Sequence, residues 1–187
     1  MLFAAPLIEG LAYQEELFDP GEEERLVKAI EELDLTPFRF QGWTGKRLTR
    51  SFGWSHDFVD RKFLPAEPMP KFLDPILVRA AAFSGIPRGD FAHALITRYD
   101  PGAGIGWHRD RPQFGMVVGI SLAGPAVLRF RKRVESRFRR AQLERAPRSA
   151  YLLSGEARQQ WEHGIAAHDE LRYSITLRTL STRGATA

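Results

Sequence analysis

The sequence predicts an α+β fold in which two helices precede a long series of short strands packed as a sandwich or open barrel. Three observations carry this reading. Two segments before residue 86 pair a helix-starting signal with apolar residues at helical spacing. From residue 91 onward the apolar residues alternate and turn residues recur every few positions. The 187 residues suffice for one full hydrophobic core and not for two, so residues 1–187 read as a single domain.

Asp19-Pro20-Gly21-Glu22 joins a capping residue, a proline at the first helical position and a carboxylate three residues after the cap. Leu26, Val27, Ile30 and Leu33 follow at helical spacing, which predicts a helix from about residue 20 to 34. Residues 36–70 lack that period and mix aromatic with basic side chains, among them Phe38, Phe40, Trp43, Lys46, Arg47, Arg50, Phe52 and Trp54. Such a stretch serves either as core or as a ribbon whose rings stack on bases while its cations hold phosphates. A second helix is predicted with Asp74 as cap, Pro75 first, Leu77, Val78 and Ala81 turned inward, and Gly85 as its stop.

Phe91 to Tyr99 reads as a strand with Leu95, Thr97 and Tyr99 on one side. Pro101, Gly102, Gly104 and Gly106 then form a turn-rich loop; no helix opens after it, so it is no phosphate-binding loop. Strands are expected over Met116 to Ala123, 126–133, 137–144, 149–153 and 158–163, and the last over Leu171 to Thr179.

No window holds 18 consecutive apolar residues, and the first ten residues lack the basic region of a signal peptide. A soluble, cytoplasmic, monomeric protein without membrane contact is expected. Zero cysteines exclude disulfides, thiolate metal sites and cysteine nucleophiles. The net charge is only +4, but Arg129 to Arg140 packs seven basic residues into twelve positions around Phe130 and Phe138. That run is either a solvated face or a contact for a polyanion.

His108 and Asp110 stand two residues apart, so on extended backbone both side chains leave the same face. His163, 55 residues later, completes a set of two imidazoles and one carboxylate. This donor set leaves open positions on the metal and suits non-haem Fe(II) oxygenases. His56, His93 and His168 lack ligand-like spacing and read as surface or satisfied core residues. In the last strand Arg172, Ser174, Thr176 and Arg178 share one face, with Tyr173, Ile175 and Leu177 on the other. The polar face either looks to solvent or lines the interior, and in the second case two buried guanidinium groups need anions.

Taken together, His108-x-Asp110, His163-Gly164-Ile165 and Arg172-x-Ser174-x-Thr176-x-Arg178 resemble the AlkB family of Fe(II)- and 2-oxoglutarate-dependent dioxygenases over about residues 93–180. Tyr99-x-Pro101-Gly102, the Gly119 to Gly124 segment and Ser154-Gly155-Glu156-Ala157-Arg158 add to the likeness. The resemblance implies a double-stranded β-helix, or jelly roll, with the N-terminal helices packed on one sheet. It implies that His108, Asp110 and His163 hold Fe(II). Arg172, helped by Tyr99, would pair with the distal carboxylate of 2-oxoglutarate, and Arg178 would approach the end nearest the iron. The family's two common asparagines are here Thr97 and Ser174, both able to hydrogen-bond the co-substrate.

The resemblance further implies oxidative demethylation or hydroxylation of bases in alkylated DNA or RNA, with dioxygen consumed and the target base single-stranded or flipped. DNA repair and RNA modification are the corresponding roles. Trp43, Arg47, Phe52 and Trp54 are the residues proposed to stack on that base from a lid at about 36–70, and Arg158 to orient the substrate or Asp110. The 148–158 segment, Trp161 and Arg50-Ser-Phe-Gly-Trp54 are similar to the branch acting on tRNA wobble uridines, whose RNA-binding and methyltransferase domains these 187 residues do not contain. Three alternatives stay open at this point. They are a hydroxylase of a protein or small molecule using the same iron, a catalytically silent nucleic-acid-binding protein, and a cupin-like barrel holding another divalent metal.

Overall fold

The computed structural model describes residues 8–40, 43–56, 63–65 and 67–181; for 39, 40, 43, 44, 55, 56, 63 and 64 it describes the backbone alone. In chain order the elements are β1 (Leu11–Gln14), α1 (Pro20–Glu31), β2 (Thr36–Phe40), β3 (Trp43–His56), β4 (Phe63–Pro65) and α2 (Asp74–Ser84). There follow β5 (Phe91–Tyr99), β6 (Ile105–His108), β7 (Phe114–Leu122), β8 (Ala126–Val134), β9 (Arg137–Arg145), β10 (Ser149–Leu153), α3 (Gly155–Gln159), β11 (Glu162–Ile165) and β12 (Arg172–Leu180).

Two antiparallel sheets form a jelly roll. The larger runs β1-β10-β7-β12-β5-β3-β2, with β4 pairing beside β3, and the smaller runs β6-β11-β8-β9. The chain crosses between the two sheets repeatedly, which is why sequence neighbours such as β5 and β6 lie in different layers. Residues 36–40 and 43–56, ambiguous in sequence, form an antiparallel ribbon that extends the larger sheet past β5.

Helix α1 begins as its sequence predicts. The Asp19 carboxylate accepts from the Glu22 amide at 2.8 Å while Glu22 accepts from the Asp19 amide at 2.9 Å, a reciprocal capping box. It stops at Glu31, three residues short of the expected end, where the Leu33 amide turns back to the Ile30 carbonyl. Helix α2 departs from expectation at its start. Asp74 is already helical, entered from a 3₁₀ turn at Lys71–Leu73, and its carboxylate bonds Arg88 at 2.5 Å instead of capping. Val78, expected inward, is exposed. Leu73, Ile76, Leu77 and Ala80 set the buried stripe, and Val78 lies on the flank away from it. Gly85 ends the helix in the left-handed region, φ 72°.

The helices lie on the outer face of the larger sheet. Leu26, Ile30, Leu73, Ile76 and Leu77 pack there against Phe52, Ala94, Ile96, Val118, Ile120, Tyr173, Ile175 and Leu177. A second apolar cluster fills the space between the sheets with Val117, Leu128, Phe130, Leu153, Trp161 and Ile165. The strand expected over 158–163 is instead the end of α3 followed by β11. Gly155 with φ 46° and the bond from the Ala157 amide to the Glu9 carbonyl start a helical turn there, and pairing resumes only at Glu162.

The helix-to-sheet layer is the larger apolar investment of the fold, so its fully buried members are sensitive to truncation. Ile96→Ala should cost about 2–5 kcal/mol in urea unfolding, whereas Val78→Ala, on the exposed flank of α2, should change stability by no more than about 0.5 kcal/mol.

Candidate metal and co-substrate site

The inner face of the larger sheet is built in rows by strand register. Arg172 lies opposite Tyr99; Ser174 lies between Thr97 and Ser121, and this row continues to Thr49 and Ser149. The next row places Thr176 between Leu95 and Gly119, with Tyr151 beyond, and the last places Arg178 between His93 and Val117. The polar face of β12 therefore lines the interior, and its apolar face meets the helices. Gly119 is required by a close approach: a methyl group there would stand 2.1–2.4 Å from the Tyr151 phenol.

The smaller sheet brings the second half of the site. Strands β6 and β11 pair with His163 directly opposite His108, ring centroids 4.4 Å apart, and Asp110 follows just past the end of β6. Gly164 permits this pairing, because a side chain would stand 2.9 and 3.0 Å from the carbonyls of Ile105 and Gly106. One ligand atom from each of His108, Asp110 and His163 falls within 4.8 Å of the others. The His108 Nδ1 lies 2.9 Å from the Gly106 carbonyl, so Nδ1 carries the proton and Nε2 offers its lone pair.

Electrostatics favour the donor forms. Burial works to raise the Asp110 carboxyl, but the Arg178 charge leads the opposing effects that outweigh it and hold the group well below the usual carboxylate range. Burial, with His108 nearby, pushes His163 down to about 3, and burial lowers His108 as well. Two neutral imidazoles and one carboxylate are a fitting set for Fe(II). Arg178 donates from Nε to Asp110 at 2.6 Å, and a second of its nitrogens lies 3.2 Å from His93 Nδ1. His93 is thus the satisfied core histidine that its spacing suggests; burial and Arg178 push it down to about 3, so it stays neutral and accepts.

Arg172 begins β12, separated from Arg178 by the rows of Ser174 and Thr176. Its side chain is 0% exposed, its Nε donates to Ser121 Oγ at 3.0 Å, and both terminal nitrogens have no partner among the described residues. Its guanidinium lies 5.0 Å from the Tyr99 ring centroid. Burial pulls it down to about 9, the Arg145 charge adds to that, and Tyr99 opposes it. A buried pair of guanidinium nitrogens without an acceptor, beside the hydroxyl row, fits a carboxylate. Thr97 and Ser174, standing for the asparagines, face one another across the β5–β12 pair.

The proposed lid residues separate. Arg47 belongs to the site: its charge lies close enough to Tyr99 to interact with it, and its guanidinium stacks 4.0 Å over Phe38. Phe52 does not. It is 4% exposed, in the core under the helices, because the alternation of β3 turns it to the opposite face from Arg47. Trp54 is half-buried where β3 pairs with β4, and the Trp43 and His56 side chains lie outside the described residues. Arg158 is not free to meet a substrate. It donates to the carbonyls of Arg111 and Gly115 at 2.7 Å and of Phe114 at 2.6 Å, bracing the segment that follows Asp110. The ring of His168 lies 6.1 Å from that of Tyr99.

The basic run forms the β8–β9 hairpin on the sheet that carries His163. Arg129 and Arg131 cover Trp107 at 5.1 and 4.7 Å, and Arg131 also lies 4.8 Å from the Phe138 ring. Glu162 neutralises Arg131 at 2.6 Å and Glu156 neutralises Lys132 at 3.0 Å, so part of the run is internally paired. Sequence reasoning missed Ser121, Tyr151 and Arg145. The last had a signal: Ala141, Leu143 and Arg145 alternate on one face of β9, which sets a cation at an inward position.

Comparison with known proteins places this geometry. Residues 28–178 match the model of the 2OG-Fe(II) oxygenase superfamily. An Arabidopsis thaliana protein described as an alkylated DNA repair protein ALKBH8 homolog is 28% identical over 86% of this chain, which spans only 52% of that relative's length. Protein L905 of Acanthamoeba polyphaga mimivirus is 24% identical, the match covering 92% of this chain and 86% of its own. Among solved structures, OsALKBH1 superposes with a TM-score of 0.68 at 14% identity, covering 91% of this chain and 96% of its own. A 2OG-Fe(II) family oxidoreductase from Burkholderia pseudomallei superposes with a TM-score of 0.61 at 15% identity, covering 91% and 84%.

If the three clustered donors act together, His163→Ala or Asp110→Ala should lower Mn(II) affinity more than about 100-fold in calorimetric titration, beyond the range typical of outer-sphere changes. Thr49→Ala, in the hydroxyl row away from the donors, should leave it within about 3-fold of the unaltered protein.

Proposed function

Because the chain belongs to the 2OG-Fe(II) oxygenase superfamily, as an AlkB-like member of it, we propose that it oxidises alkyl groups on the bases of nucleic acid. When bound, Fe(II), 2-oxoglutarate and dioxygen supply the oxidising chemistry, and 2-oxoglutarate leaves as succinate and carbon dioxide. In this reading His108, Asp110 and His163 hold the metal, and Arg178 keeps Asp110 ionised and oriented. Arg172, backed by Ser121 and Tyr99, takes the distal carboxylate. Arg158 fixes the loop after Asp110 through three carbonyls, so the carboxylate ligand does not swing.

The observation that carries the choice of substrate is the cationic and aromatic frame around the site. On one side Arg47 couples Tyr99 to Phe38 in the β2–β3 ribbon. On the other, the sheet that holds His108 and His163 continues into the β8–β9 hairpin, whose Arg137, Arg139 and Arg140 are exposed. Such a frame suits a phosphate backbone with an unstacked base. The target atom of a stacked base is out of reach, so a flipped or single-stranded nucleotide is required. An N-methylated base would be hydroxylated on its methyl carbon, and the product would fall apart to formaldehyde and the unmodified base.

The test is mass spectrometry of N-methylated single-stranded DNA, RNA and bulk tRNA after incubation with Fe(II), 2-oxoglutarate and ascorbate, with succinate followed in parallel. Loss of methyl mass matched by succinate supports the proposal. Succinate without any change in nucleic acid overturns the substrate and redirects the search to proteins or small molecules. Arg137→Ala combined with Arg139→Ala should weaken oligonucleotide binding and reduce the slope of log K against log salt by about 1–2. An unchanged slope takes the hairpin out of the interface.

A further inference from the structure

Besides Arg172 and Arg178 there is a third buried guanidinium, which neither the metal donors nor the β12 motif accounts for. Arg145, the last residue of β9, is 2% exposed, and its Nε and one terminal nitrogen have no partner among the described residues. No described carboxylate pairs with it, nor with Arg172. Its guanidinium lies 5.0 Å from the centroid of the Tyr151 ring. Tyr151 in turn lies on Gly119, in the row next to the one that holds Ser121, the partner of Arg172. Arg145 is also the nearest-acting cation on Arg172, second only to burial in pulling that group down. Two buried guanidinium groups that act on each other with no described anion between them repel and lack hydrogen-bond acceptors, an arrangement that costs stability unless a ligand completes it.

We propose that Arg145 is a second binding residue for the distal carboxylate of 2-oxoglutarate, closing from the smaller sheet the pocket that Arg172 closes from the larger one. This rests on the reading of the cavity as the co-substrate site. The carboxylate is gripped from two layers, with the Tyr99 and Tyr151 rings beside the two guanidinium groups. A 2-oxo acid with a neutral tail leaves both cations unpaired and binds more weakly than 2-oxoglutarate. The co-substrate thereby also ties β9 to β12, two strands that share no ladder.

The test is calorimetric titration of the full chain with Mn(II) in place of Fe(II), so that no turnover occurs. The titrants are 2-oxoglutarate and 2-oxopentanoate, which has the same chain without the distal carboxylate. Arg145→Gln should weaken 2-oxoglutarate at least about 10-fold, leave 2-oxopentanoate and Mn(II) itself unchanged, and not lower the melting temperature of the protein without 2-oxoglutarate. Arg145→Lys, which keeps the charge and loses the fork, should recover part of the affinity. Should Arg145→Gln fail to fold, selective weakening of 2-oxoglutarate in Arg145→Lys carries the test alone. Unchanged 2-oxoglutarate affinity overturns the proposal. So does equal weakening of both acids with a lowered melting temperature, which marks a structural residue. If the unaltered protein binds Mn(II) but no 2-oxoglutarate, the cavity reading itself falls, a result distinct from failure at Arg145.

Discussion

Two guanidinium groups at opposite ends of one strand, both turned between the sheets, constrain the rest of the molecule. A buried cation is tolerated only beside an anion or a full set of acceptors. At Arg178 the chain provides this itself: Asp110 accepts at 2.6 Å and His93 lies at 3.2 Å. At Arg172 Ser121 accepts from Nε, and the two terminal nitrogens have no hydrogen-bond partner among the described residues. One end of the strand is thus completed by protein, and in the proposed reading the other is completed by co-substrate.

The remaining architecture serves this division. Strand β12 sits in the middle of the larger sheet, between β5 and β7, so its inner residues are flanked on both sides by register partners. Its outer face is continuous with the apolar layer under α1 and α2, which anchors the strand without demanding anything of the inner face. The smaller sheet contributes the imidazoles through direct pairing of β6 with β11, and Asp110 spans the gap between the sheets to reach Arg178. The imidazoles thereby come from one layer and the two β12 arginines from the other. Closing the sandwich is what assembles them.

The same economy of charge explains Arg158. A guanidinium half-buried in α3, within electrostatic reach of Asp110, donates to three backbone carbonyls on the segment from Arg111 to Gly115. That segment follows the carboxylate ligand directly, so the arginine stiffens the metal site without touching it. The hairpin cations behave differently. Arg131 and Lys132 have acidic partners, whereas Arg137, Arg139 and Arg140 keep their charge toward solvent.

Much of this was legible along the chain. The spacing of His108 and Asp110, the strict alternation of Arg172 to Arg178 and the capping box at Asp19 depend on local periodicity, and sequence by itself determined the two helices and the candidate metal set, but not that β1 precedes α1 and that β2, β3 and β4 lie between the helices. Strand alternation could say that Arg172 and Arg178 share a face, but not whether that face meets water or the interior. Tertiary structure decided it, because burial depends on which layer packs against the strand. The same reason settles Phe52 and Arg47, neighbours on β3 that a linear reading groups together and alternation sends to opposite faces. It also brought in Tyr151, which reaches the site through the β10–β7–β12 register, and Arg145, which comes from β9 of the facing sheet; both depend on pairing and packing between segments distant in the chain.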